Sequence, residues 1–251
     1  MHSGLLYDTL PCIMQYIPIK TRVMQPPKDD LYSVLDESVT DLQEGDLVLV
    51  TSKVVSIHQG KCVPVDSVEK RALVEKESEY FVEGNTKYYS SPLSIKYNGL
   101  FFAAGIDESN ADGHYIPLPD DPFKSAQEIW EYLRAKHGIE SLGVIVTDSH
   151  SIPLRLGCLG IAIGFWGMHP ITDHVGKKDL FGKDMRYSST NIVDAVSAGA
   201  AAVCGETTET TPIVLARGVS NVRFTKEDTR EEILISGEDD LYYPLLKPFY
   251  E

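Results

Sequence analysis

Apolar positions recur along the chain in two rhythms, one of period two and one of helical spacing, and their alternation predicts a mixed set of strands and helices. Between Ile13 and Val23 apolar and polar residues alternate up to Pro18, and Ile-Lys-Thr-Arg follows. This reads as a strand running into a polar turn, with Pro26-Pro27 as the break. Asp29 or Asp30 is placed to cap a short helix through Leu35. Gly45-Asp46 is a turn signal ahead of Leu47–Val55, a β-branched run that predicts a buried strand. Ser67–Phe81 carries Glu and Lys at helical spacing, with Ser67 as the expected N-cap. Asn85–Ala104 reads as a hairpin turning at Asn98-Gly99.

Beyond a loop at Pro117–Pro122, Ser125 is expected to open an amphipathic helix to His137 with Ile129, Trp130 and Leu133 on one face. Leu142–Val146 predicts a strand ending on Thr147-Asp148-Ser149, and Gly157–Gly164 predicts another. Asn191–Cys204 is an alanine-rich helix suited to close packing on a sheet. Ile213–Ala216 is a strand leading to Arg217-Gly218, and Asp228–Ile235 a short helix. Lys226–Glu251 carries no functional signal and is expected to pack as a tail on a dimer. The elements mix without a regular βαβ rhythm. The expected fold class is therefore α+β, with mixed sheets and packed helices, over residues 1–251 as one unit, with a division into two subdomains as the alternative.

Composition narrows the function classes. The 251 residues are 43% hydrophobic and 24% charged, an ordinary globular balance. No apolar run approaches the roughly 20 residues of a membrane helix, and the N-terminus has no secretory signal pattern. The formal net charge of −14 argues against nucleic acid as a partner. Cys12, Cys62, Cys158 and Cys204 form no CxxC pair, which fits thiols in a reducing cytoplasm.

Four segments carry candidate chemistry. Gly105-Ile106-Asp107-Glu108-Ser109-Asn110 places two acids, a hydroxyl and an amide after a strand, a set that ligates a hard cation and equally makes an acidic turn. Val144–His150 runs an apolar strand straight into Asp148 between two hydroxyls, which serves a site or caps a turn. Cys204–Pro212 offers Glu206, Glu209 and four threonines, either as a phosphate and metal loop or as a solvated connection. Gly176–Asp184 is a basic loop suited to an anion, although solvated charge runs are commoner. The glycines of Gly160–Gly167 lack dinucleotide-fingerprint spacing, and there is no P-loop or nucleophile elbow. The residues alone lead to metal-assisted phosphate chemistry.

At these same blocks the chain resembles the coenzyme F420-0:L-glutamate ligase family, the F420-0 gamma-glutamyl ligases, from about Ile17 to Gly218. The resemblance is carried by Ala104–Asn110, Val146–Ser149, Gly160–Gly164, Gly176–Gly182 and Gly205-Glu206. It implies an α+β fold of its own and an intertwined homodimer with active sites near the subunit interface. It also implies GTP, with ATP as the other candidate, two Mg²⁺ or Mn²⁺ ions, and activation by K⁺. Asp107, Asp148, Ser149 and Glu206 match its metal positions. Ser52, Lys53, Asn110, Thr207, Thr208, Thr210 and Thr211 fall at its nucleotide positions. Asp148 and Arg155 match catalytic positions.

Four departures bear on specificity. Ile57 stands where relatives have Lys, and Lys53 where they have a hydroxyl. His150–Leu156 keeps one arginine of a richer set, and threonines replace glycines after Glu206. The implied reaction transfers a γ-phosphoryl group to a carboxylate, and the amine of L-glutamate then displaces phosphate. Arg155 or Lys177-Lys178 would hold a substrate anion. The acceptor is the deazaflavin by resemblance. A folate or other pterin, a metal-dependent phosphohydrolase and a non-catalytic nucleotide-binding module are the competing readings.

Overall fold

In the computed structural model, residues 13–84, 87 and 90–251 are described. Cys12 and part of the expected first hairpin strand, from Asn85 to Tyr89, fall outside or only partly within them. The centre is a five-stranded sheet in the order β1-β12-β2-β8-β9. Its strands are β1 (Gln15–Ile19), β2 (Leu47–Thr51), β8 (Gly143–His150), β9 (Leu159–Trp166) and β12 (Ile213–Arg217). Only β2 and β8 run parallel, and the other neighbours are antiparallel. The chain is thus α+β, as its unrhythmic order of elements predicts.

Period-two alternation explains why these strands are apolar throughout: both faces of the sheet are covered. Val48, Val50, Val144, Val146, Ile213 and Leu215 face a core built with α1 (Leu31–Ser38), α2 (Ser52–Gln59) and α4 (Pro122–His137). Leu47, Leu49, Ile145, Val214 and Ala216 face α5 (Ile192–Cys204). The third helix, α3 (Lys70–Glu77), packs with Val63, Ala103, Ala104 and Ile106 in a smaller core. The smaller sheets pair β3 (Val63–Pro64) with β7 (His114–Tyr115), and β10 (Ile171–Asp173) with β11 (Ser189–Asn191). A third joins β4 (Tyr80–Val82), β5 (Leu93–Lys96) and β6 (Gly99–Phe102).

Several boundaries differ from the sequence expectation, each for a local reason. The β-branched run does not stay a strand to Val55. It turns helical at Ser52, because α2 buries Val54, Val55 and Ile57 against the sheet, and packing outweighs intrinsic preference. Asp30, not Asp29, caps α1 by accepting from Tyr32 N, and the helix continues to Ser38. Asp29 instead binds Arg22 through both oxygens, at 2.6 and 2.9 Å. Helix α4 opens at Pro122 rather than Ser125. Asp121 accepts from Lys124 N, and proline suits the first helical position.

Helix α3 is shorter than expected. Ser67 donates to Pro64 O in a separate 3₁₀ turn, and Phe81 belongs to β4. The hairpin turns one residue early, at Tyr97-Asn98, both left-handed with φ of 49° and 58°, as a two-residue type I′ connection requires. The expected helix at Asp228–Ile235 is a single 3₁₀ turn, Arg230–Glu232. The C-terminal segment lies against the three-stranded sheet of its own chain. There Tyr250 stacks edgewise on Tyr80, and Asn98 donates to Ile235 O.

A bulge in β9 explains the glycines of Gly160–Gly164. Val146 pairs with Gly164 and Thr147 with Ala162, which leaves Ile163 unpaired. The extra residue flips the strand's facing, so Gly160 and Gly164 lie on opposite sides although four apart. A Cβ at Gly160 would meet Ser197 O of α5 at 2.4 Å, and one at Gly164 would meet Pro122 O of α4 at 2.4 Å. Both obstacles are backbone and cannot swing aside. Gly164→Ala is therefore expected to cost about 3 kcal/mol and lower the melting temperature by roughly 6–12 °C. A melt within 2 °C of wild type would contradict this packing.

Candidate active site

Parallel pairing brings the C-terminal ends of β2 and β8 side by side, with Thr51 opposite Thr147. The antiparallel neighbour β12 starts at that same end, and β1 finishes there. The loop before β12 is tied to both strands, since Thr51 N donates to Pro212 O and Thr21 N to Thr210 O. Four distant segments therefore meet at one end of the sheet. Between them is a cavity of about 390 Å³.

Its lining includes Ser52, Lys53, Asp107, Asn110, Asp148, Ser149, Glu206, Thr207, Thr208, Thr210 and Thr211. These are the residues expected from the sequence except Arg155, Lys177 and Lys178. Arg155 lies in the exposed connection between β8 and β9, and Lys177 and Lys178 lie between β10 and β11; none of the three lines the cavity. Lys178 pairs with Asp184 at 2.6 Å.

Asp148 continues β8 and is half-buried. Its Oδ1 accepts from Ser52 Oγ at 2.5 Å. Burial raises its carboxyl to about 7; the serine bond opposes that shift and the nearby charge of Asp107 adds to it. Strand alternation sends Ser149 to the other face, opposite Gly160.

Asp107 follows an unusual approach. Ala103, Ala104 and Gly105 are all left-handed, with φ of 51°, 54° and 69°. For the two alanines this costs about 1–2 kcal/mol each. The strain is held by burial and by paired backbone bonds between Asp107 and Ile116 at 2.9 and 2.8 Å. Asp107 Oδ1 accepts from Ser109 N and Ser109 Oγ, both at 2.8 Å, while Oδ2 pairs with Lys53 Nζ at 2.6 Å. Burial pushes this carboxyl upward, but Lys53 and Ser109 together hold it below its ordinary value.

Asn110 ties this turn to the threonine loop by donating to Thr207 O at 2.9 Å. Glu206 is exposed at the rim. Glu209 closes its own loop by accepting from Thr207 N at 2.8 Å. The loop also needs Gly205, where a Cβ would lie 2.5 Å from the Glu209 carboxyl carbon.

Sequence reasoning overlooked the segment Thr21–Met24, which lines the cavity because β1 pairs with β12. No local motif signals it. Glu209 was legible only as a second acid of the loop.

The donors suit a hard cation in kind, being carboxylates and a serine hydroxyl. Their arrangement does not suit a pair of ions. Among the described residues no three His, Cys, Asp or Glu side chains converge to hold a metal, and both Asp107 oxygens are engaged. The described Cys62, Cys158 and Cys204 are free thiols. Among the described residues no helix is long and apolar enough to cross a membrane.

Comparison with known proteins gives this cavity a lineage. The family model for F420-0:Gamma-glutamyl ligase matches residues 18–218, a span that contains every lining residue of the cavity. The coenzyme F420:L-glutamate ligase of Methanopyrus kandleri is 32% identical over 247 residues, covering 90% of this chain and 95% of the relative. That of Methanococcus maripaludis is 32% identical over 216 residues, covering 80% and 86%. The Archaeoglobus fulgidus protein of the same name is 27% identical over 249 residues, covering 93% and 98%. With the match reaching from β1 to the end of β12, the chain belongs to the F420-0:Gamma-glutamyl ligase family.

Proposed function

We propose that this protein is a nucleotide-dependent γ-glutamyl ligase that joins the amine of L-glutamate to a carboxylate of coenzyme F420-0 through an acyl phosphate. One observation carries the reading. Ser52, Lys53, Asp107, Asn110, Asp148, Ser149, Glu206 and the threonine loop, scattered over the sequence, all line one cavity in a member of this family.

A carboxylate is a poor electrophile and must be activated. An acceptor oxygen attacks the γ-phosphorus of GTP, the bond to the β-phosphate breaks, and GDP leaves. The glutamate amine then attacks the acyl carbon, the C–O bond to phosphate breaks, and the amine releases its proton. For the phosphates the chain offers Lys53, the hydroxyls of Thr207, Thr208, Thr210 and Thr211, and the start of α2, which has no side-chain cap at Thr51. Uncapped N–H groups at a helix start favour an anion. The apolar lining of Val23, Met24, Val54 and Ile57 suits a flat apolar ring.

Mg²⁺ or Mn²⁺, when bound, would neutralise phosphate charge, and Asp148 and Glu206 are the carboxylates of the lining that remain for it. With its carboxyl raised to about 7 by burial, Asp148 would hold such an ion in its ionised form.

We also assign the exposed apolar tips Leu154 (97% exposed), Leu180 (98%) and Phe181 (94%) to contact with a second copy of the chain. Sedimentation should then give a dimer, and a monomer at micromolar concentration would overturn that assignment. The reaction is tested by incubating the protein with GTP or ATP, Mn²⁺, labelled glutamate, and either F420-0 or folate, and then weighing the products. A glutamyl adduct on F420-0 supports the reading, and one on folate alone changes the acceptor. Phosphate release without an adduct, or nucleotide binding without turnover, overturns it.

A further inference from the structure

Lys53 and Asp107 come from different parts of the chain, and each is fixed independently. Lys53 is the second residue of α2, a helix anchored by buried Val54, Val55 and Ile57. Asp107 is held by the Ile116 backbone pair and by both donors of Ser109. Their side chains meet at the cavity wall at 2.6 Å. Lys53 Nζ also donates to Ser109 O at 2.8 Å and makes a longer contact with Ser109 Oγ at 3.4 Å. Two of its three N–H donors are thus committed to the wall, and the third is only weakly used.

A divalent ion sits about 2.0–2.6 Å from the carboxylate oxygens that bind it. Lys53 Nζ stands 2.6 Å from Asp107 Oδ2, at the long end of that range and on the oxygen such an ion would use. Ion and ammonium therefore compete for one position and repel each other there.

We infer that Lys53 is a built-in cation of this site, occupying the metal position at Asp107 and presenting an ammonium group to an anionic phosphate. The pairing stands on geometry, while the identity of the anion rests on the ligase reading above. An ammonium brings one positive charge and hydrogen-bond donors in place of a divalent Lewis acid. It is covalently tethered, so removing metal does not remove it.

The test needs no substrate. The purified protein, stripped with chelator, is titrated with Mn²⁺, and free Mn²⁺ is read by electron paramagnetic resonance. Lys53→Met is expected to bind one more Mn²⁺ per chain than wild type, or to bind at least ten-fold tighter. Lys53→Gln should do the same should the methionine variant fold poorly. Lys53→Arg, which keeps the charge, should bind as wild type does. Adding Asp107→Asn to the methionine variant should abolish the gain. Equal Mn²⁺ number and affinity in wild type and both neutral variants would overturn the inference, as would a gain that survives Asp107→Asn. Product mass in the ligase assay reports separately on the reaction.

Discussion

Asp148→Asn is expected to abolish activity while stabilising the protein. The Asp148 carboxyl is raised to about 7, against an ordinary value near 4, chiefly because it is buried. The folded chain therefore holds this proton more tightly than the unfolded chain does. Below about pH 4 the group is neutral in both states and costs nothing. Between about pH 4 and 7 ionisation favours the unfolded chain, and above about pH 7 the penalty is constant. Its upper bound is about 4 kcal/mol for a shift of this size, and about 2 kcal/mol applies to a carboxyl that lines a cavity.

Asparagine is neutral and keeps an oxygen for Ser52. In chelator at pH 8 the variant should melt roughly 4–8 °C above wild type, and the gap should close near pH 4. Its kcat/KM should fall about a thousand-fold, since the charge it loses is the one the site needs. A melting advantage that ignores pH would sink the burial argument. Full turnover would remove Asp148 from the chemistry.

The second large effect lies at the opposite end of the sheet. Asp46, at the turn into β2, is fully buried. Its carboxylate accepts from Arg217 Nε and Nη2, both at 2.8 Å, and from Gln43 N at 2.9 Å. Arg217 closes β12 and also reaches Asp41 O at 2.8 Å. Arg217→Met would leave a buried carboxylate without its cation, an error that costs about 3–5 kcal/mol. Chemical denaturation should show that loss, and melting should drop roughly 6–20 °C. Adding Asp46→Asn should recover part of it, because the two residues act as one unit. Turnover per folded molecule should stay intact, since neither residue lines the cavity. A loss under 1 kcal/mol would show that the pair is screened.

What the sequence determined by itself was the chemistry in short blocks and the type of each strongly patterned element. Asp107, Asp148 and Glu206 stood in recognisable contexts, and the strands at Leu47, Gly143 and Ile213 were written in β-branched runs. Such signals are local, so they survive in one dimension. The start of α4 was also local, in Asp121-Pro122, but the loop reading of that stretch passed over the cap.

Tertiary structure decided which blocks meet. Pairing β2 parallel to β8, with β12 and β1 antiparallel beside them, is what gathers Ser52, Asp148, the threonine loop and Thr21–Met24 at one sheet end. Each of those pairings joins residues far apart in the chain, and no window of sequence contains both partners. The same holds for α2, whose valines favour a strand until the core on one side of the sheet claims them. It holds most of all for Lys53. In sequence it is a lysine beside a serine. Only the packing of α2 against the Asp107 turn puts its ammonium on a carboxylate, because an ion pair between residues 53 and 107 exists only once both elements are docked.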